Sequence, residues 1–327
     1  MRYFYSSFFI LFVGLATSYF LGGLAAIYIT FLLIILEISL SFDNAVVNAK
    51  VLETMSPAWQ RRFIIFGIPI AVFGMRLVFP LAIVAVATGL GMSETLSLAM
   101  NSPAEYEKAL STSEDTIFAF GGAFLFMVFL DFFFEERDVK WLKFVEGSKI
   151  MQEASSISNI ELIIAIATGL ALGHITQDFN VLMAFIYGVL LHSALGLLDH
   201  FLSSDTTRSG IAGFLYLEVL DASFSFDGVI GAFALSSNIF IIMIGLGVGA
   251  MFVRSLTIYF VEHKTLSAFR YLEHGAHYAI GILAIIMLVK ILVPVGEVVT
   301  GTIGILLISA AFVHSVLENK NQKIYKI

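Results

Sequence analysis

Charged residues are missing from long stretches of this chain: none lies between Arg2 and Glu37, and similar gaps recur to the C-terminus. Only 13% of the 327 residues are charged, against about 25% in an ordinary soluble domain. A soluble fold this apolar (59% hydrophobic) lacks the polar surface to cover itself. The runs instead match the roughly 20 helical residues that cross a hydrocarbon core. We read ten candidate spans, at 5–22, 24–50, 63–89, 116–134, 160–176, 181–200, 211–234, 237–261, 276–293 and 296–316. The expected fold class is therefore an all-α polytopic membrane protein in a single membrane domain, residues 1–327. The first run starts like a signal peptide but passes through Gly22-Gly23 into another apolar run, so it is read as a retained helix. With no cysteine, thiolate metal sites, disulfides and cysteine nucleophiles are excluded. A net charge of -7 without a basic cluster argues against nucleic acid as a partner.

Lysine and arginine placement orients the spans. With a cytoplasmic N-terminus, fourteen of the 18 fall on inside segments: Arg2, Lys50, Arg61, Arg62, Arg137, Lys140, Lys143, Lys149, Arg208, Lys264, Arg270, Lys320, Lys323 and Lys326. Lys108 alone lies outside, and Arg76, Arg254 and Lys290 lie within spans. This asymmetry obeys the positive-inside rule and sets both termini in the cytoplasm. The long outside loop 90–115, with Glu94, Glu105, Glu107, Glu114 and Asp115, is read as a solvated acidic loop.

The chain also repeats itself. EISLSFDNAV at 37–46 matches DASFSFDGVI at 221–230, aligning Glu37 with Asp221, Ser41 with Ser225 and Asp43 with Asp227. In the next span GMRLVF at 74–79 resembles VRSLTIYF at 253–260, setting Arg76 opposite Arg254. Residues 24–134 form repeat one (spans 2–4) and 211–293 repeat two (spans 7–9). Between them, 135–210 is a connector carrying spans 5 and 6; 294–327 holds the last span and a cytoplasmic tail. Span 2 runs inward and span 7 outward, so the two three-helix repeats are inverted. Inverted repeats characterise transporters that alternate access around a midplane site.

Spans 2 and 7 carry Glu37, Asp43, Glu218, Asp221 and Asp227. At roughly 3 kcal/mol each, facing lipid, they would cost roughly 15 kcal/mol. Two arginines neutralise at most two of the five, so structural pairing does not account for the set. Glu37 and Asp221 sit near mid-span, with Asp43 toward the inner side and Asp227 toward the outer. Glu37, Ser41 and Asn44 share one helix face, as do Glu218, Asp221 and Ser225. Asp43 and Asp227 fall off those faces. Either the SFD segments are unwound, which Gly228 favours in repeat two, or these aspartates face another helix, with Arg76 and Arg254 as partners. Ser41, Ser225 and Asn44 either ligate or join helices. Every candidate metal ligand (Glu37, Ser41, Asp43, Asn44, Asp221, Ser225, Asp227) is a hard oxygen donor, which suits magnesium, calcium or manganese. Glu218 stands nearer the inner end as a vestibule residue, and Arg76 and Arg254 act as supporting charge partners. His192 and His277 are read as packing residues, Asp131 and Lys290 as reaching for the interfaces, and GLGVGA at 245–250 as a close-packing surface.

At Glu37-ISLSF-Asp43-Asn44 and Asp221-ASFSF-Asp227 the chain resembles the TerC family of integral membrane proteins, within the wider LysE transporter superfamily. The resemblance covers about residues 24–293, with spans 1 and 10 outside it. The Ser-Phe before each aspartate departs from many members. The resemblance implies efflux of a divalent metal, mainly manganese, and a link to tellurite resistance and envelope stress. The expected function is thus an inner-membrane divalent cation exporter of bacterial type, with metal ions, membrane lipid and exchanging protons as partners and no bound cofactor. The rival reading is a non-transporting membrane scaffold in a stress-response complex. No GxSxG, HExxH or cysteine–histidine arrangement points to an enzyme.

Overall fold

Helix-breaking residues divide the chain where the apolar pattern pauses. The computed structural model describes residues 2–202, 210–233, 235–236 and 238–324. Arg208 and Lys326 lie outside the described residues, as do the side chains of Asp227, Lys320 and Lys323. Every described element is helical, and no strand occurs among the described residues. Helix α1 (Tyr5–Leu40) is followed by α2 (Phe42–Glu53), α3 (Pro57–Pro69), a π-helical segment (Ile70–Val78) and α4 (Phe79–Thr88). Two short helices come next, α5 (Met92–Asn101) and α6 (Pro103–Thr112), then the long α7 (Glu114–Phe134). The connector holds α8 (Lys143–Glu146), α9 (Lys149–Ser155), α10 (Ile160–Thr176) and α11 (Phe179–Leu202). The second half comprises α12 (Gly210–Phe233), α13 (Ile239–Glu262), α14 (Thr265–Ala268), α15 (Leu272–Lys290) and α16 (Glu297–Ile324). Six helices are long and apolar enough to cross a bilayer, or seven if the bent pair 57–67 and 70–86 counts as one span.

Helix α1 is a hairpin. Gly22 (φ -163°, ψ 23°) and Gly23 (φ 65°, ψ -151°) leave helical geometry, and the positive φ at Gly23 suits only glycine well. Beyond the break the chain doubles back, so Thr30 Oγ1 donates to Ser18 Oγ at 2.7 Å. In a straight helix those residues would stand about 18 Å apart. Both limbs pack on α13. Ser7 Oγ reaches Met251 O (2.9 Å) and Ser255 Oγ (2.7 Å) from the first limb. Leu33 and Glu37 of the second limb lie against Gly245 and Gly249, where an added Cβ would come within 2.5 Å of each residue's own Cβ. The GLGVGA run is thus the surface that admits the second limb.

The bend between α3 and the π-helical segment is 44°, at Pro69, whose ring cannot donate to the helix ladder. Helix α13 starts at Asn238, whose side chain accepts from Phe240 N (3.0 Å) and Ile241 N (3.3 Å). The main core joins α2, α7, α12, α13 and α15 around Phe118, Phe124, Leu220, Ile242, Ile280 and Met287. Helices α10 and α11 pack on the other face of α7 through Ala165, Phe185 and Val189. Large apolar side chains such as Phe9, Phe12, Phe20, Phe201 and Leu306 face outward, as lipid-covered helices require.

Two expectations need correction here. Residues 92–112 are not a solvated loop: α5 and α6 bury Thr95, Ala99, Tyr106 and Leu110, while Glu94, Glu105 and Lys108 stay exposed. Gly228 does not unwind repeat two, because α12 runs unbroken from Gly210 to Phe233. The break falls in repeat one instead, at Ser41 (φ -107°, ψ 15°), between α1 and α2.

Candidate cation site

The hairpin limb of α1, α2, the π-helical segment, α12 and α13 bring charge into one buried place. Glu37, at the end of α1, is 1% exposed and pairs with Arg76, 6% exposed. The Arg76 guanidinium also donates to Ala71 O, five residues back within the π-helical segment. Ser41 Oγ donates to the same Glu37 oxygen at 2.8 Å. Across from them, Asp221 Oδ1 accepts from Asn44 Nδ2 (2.7 Å) and Asn48 Nδ2 (2.8 Å). Arg254 stands 4.0 Å from Asp221 Oδ2 and 3.9 Å from Glu218 Oε1. It also donates to Phe63 O at 3.2 Å and lies over the Phe63 ring at 3.9 Å. Glu37, Ser41, Asn44, Asn48, Asp221 and both arginines line a cavity of about 20 Å3, room for one water-sized particle.

The expected residues are thus only partly gathered. Glu37, Ser41, Asn44, Asp221, Arg76 and Arg254 share the cavity, and Glu218 stands beside Arg254. Asp43 does not: it is buried against α16, where a Cβ at Gly304 would lie 3.7 Å from its Oδ2, and its Oδ1 accepts from Asn44 N at 3.0 Å. Neither arginine pairs with Asp43, contrary to that alternative, because both are held by the mid-span acids. Ser225 is buried outside the cavity, and its Oγ has no hydrogen-bond partner among the described residues. The Asp227 side chain lies outside the described residues. No group of three or more carboxylates and imidazoles able to hold a metal occurs among the described residues. The available acceptors are amide and carboxylate oxygens: Asn44 Oδ1, Asn48 Oδ1 and both Glu218 oxygens are buried without a hydrogen-bond partner among the described residues. Asn48 was missed by the sequence reading. It stands one turn beyond Asn44 on α2, and that i, i+4 spacing was the available signal.

The histidines stand apart from the cavity. His277 stacks on Phe132 at 3.8 Å, and its Nδ1 lies 2.9 Å from Glu273 O. His192 Nε2 is 3.4 Å from Asp131 Oδ2. A larger hollow of about 410 Å3 opens beside the connector, between Glu135, Arg137, Glu146, His274 and Tyr278. Its charges serve each other. Glu146 accepts from Trp141 N, Leu142 N and Tyr278 Oη, while Arg137 pairs with Glu135 and with Glu273 behind it (3.2 Å).

Apolar helices around a small set of buried charges define an all-helical membrane protein. Within that class the chain belongs to the family described as "Protein of unknown function (DUF475)", whose model matches residues 42–322. The match runs from α2 into α16 and leaves Glu37 outside it. No curated protein and no solved structure matches the chain.

Proposed function

We infer that the chain is a divalent cation exporter of the TerC type, with manganese as its main cargo, working by alternating access in a bacterial inner membrane. Ten crossings place both termini in the cytoplasm, as the basic residues direct. One observation carries the reading: repeat-related positions exchange contacts. Asn44 donates to Asp221, and Gly228, at Asn44's place in repeat two, lies beside Glu37, at Asp221's place in repeat one. A Cβ on Gly228 would be 3.3 Å from Glu37 Oε2. A two-fold axis in the membrane plane produces this exchange, and inverted-repeat transporters bind their cargo on such an axis. The arginines obey the same relation, Arg76 facing Glu37 and Arg254 facing Asp221. Buried acids of this kind mark ion pathways, and proton exchange for the cation supplies a drive.

Flux into proteoliposomes of the full chain, with manganese, calcium, magnesium and zinc compared under a pH gradient, tests the reading. Manganese movement coupled to the gradient is expected. Tight vesicles that pass none of the four ions would leave the scaffold reading standing.

A further inference from the structure

Asn44 and Asn48 leave the same face of α2, one turn apart. Both give their Nδ2 to one atom, Asp221 Oδ1. Turning either amide over would set its oxygen against the carboxylate, so charge fixes the orientation. Their oxygens therefore face away from that atom, buried and without a partner among the described residues. Both side chains are more than nine-tenths buried, at 6% and 4% exposure, and both line the 20 Å3 cavity with Asp221. Two orphaned carbonyl oxygens beside one carboxylate form a wall that attracts positive charge.

We propose that Asn44 Oδ1, Asn48 Oδ1 and the Asp221 carboxylate seat a single hard cation, and that Asn48 is a ligand with no repeat-related counterpart. Ala232 occupies its place in repeat two. This rests on the transport reading and sharpens it: the seat is asymmetric. Repeat two supplies the charge through Asp221, and repeat one supplies neutral oxygens. Glu37 takes no part, because Arg76 and Ser41 already hold it. Amide carbonyls joined to a carboxylate are ordinary ligands for hard cations. The small cavity admits an ion only after it sheds most of its water. Arg254 is the resident counter-charge, placed almost equally from Asp221 and Glu218. A cation arriving at Asp221 displaces it toward Glu218, whose oxygens have no hydrogen-bond partner among the described residues.

Manganese titration of the purified full chain, following the electron paramagnetic resonance signal of free aqueous Mn2+, tests the seat. One tight Mn2+ per chain is expected. Asn48→Ala should weaken it about tenfold or more. Asn48→Asp should restore or tighten it, since it returns an oxygen and adds charge. A residue that merely donates to Asp221 would not be rescued this way, because a carboxylate cannot donate there. Asn48→Gln, which keeps the amide but moves its oxygen, should bind as weakly as Asn48→Ala, and melting curves report whether each variant folds. Unchanged affinity in Asn48→Ala, or Asn48→Asp weaker than Asn48→Ala, overturns the seat while wild-type flux keeps the transport reading. A wild type that neither binds nor carries Mn2+ removes both.

Discussion

Glu37 and Arg76 are both buried and pair with each other. Removing one partner of such a pair strands the other in a dry site, at about 3–5 kcal/mol. Arg76→Gln should therefore lower the melting temperature of the purified chain strongly. The double change Arg76→Gln with Glu37→Gln should recover much of the loss, since no lone charge remains. Arg76→Lys should recover less, because an ammonium lacks the guanidinium fork that reaches both Ala71 O and Glu37. Equal melting of the single and double changes would count against the pair. Arg254 is held more loosely, between Asp221 and Glu218. Glu218→Gln removes one of its two anionic neighbours and leaves Arg254 to Asp221. Manganese affinity should then fall although Glu218 does not line the cavity, and melting should change little, because the amide is a fair replacement for an acid with no hydrogen-bond partner among the described residues. Mn2+ titration of that variant decides it: unchanged affinity would mean that Arg254 does not compete with the cargo.

Helix contacts set where these charges stand. At Gly249 an added Cβ would come within 2.5 Å of Glu37 Cβ and 3.1 Å of Ile34 O. Backbone cannot give way as a side-chain tip does, so Gly249→Ala must push the α1 limb outward. A destabilisation of about 1–3 kcal/mol is expected for such overpacking. Gly196→Ala in α11, with open space at its Cβ, is the control and should melt like wild type. Equal melting of both variants would show that the limb is not seated on α13 this closely. The elements themselves were largely legible in the sequence, because apolar runs and the Gly22-Gly23 pause are local signals. Glu37 and Asp221 were legible as a pair because the repeat aligns them. Other features depend on residues far away in the chain and leave no local mark. Asn48 earns its place only through Asp221, 173 positions on, and its repeat mate is alanine. Helices α5 and α6 look polar, and Tyr106 reveals its burial only against Phe233. The arginines' choice of mid-span acids over Asp43 depends on the break at Ser41, which no glycine or proline announces.

Two apolar clusters flank the cavity along α12 and are the candidates to seal it. Toward the Lys50 end, Val51, Leu52, Met55, Phe63 and Leu217 form one buried cluster, and Phe63 also lines the cavity. Toward the other end, Tyr106 of α6 packs on Phe233 at the end of α12. The proposed alternating access requires these seals to open in turn, since a path open on both sides would dissipate the gradient. The chain has no cysteine, so a single introduced thiol reports on this without background. Ala250 is 7% exposed, lines the cavity and is small, which makes Ala250→Cys a mild reporter. Its reaction with a small maleimide should be slow at rest and slower still with Mn2+ in the seat. Adding Leu217→Ala, which thins the seal at the Lys50 end, should speed labelling several-fold and leave a Tyr106-side probe unaffected. Labelling rates measured on the full chain in liposomes decide the matter. If Mn2+ crosses the membrane but leaves the Ala250→Cys rate untouched, the cargo travels by another route and the cavity is a structural charge cluster.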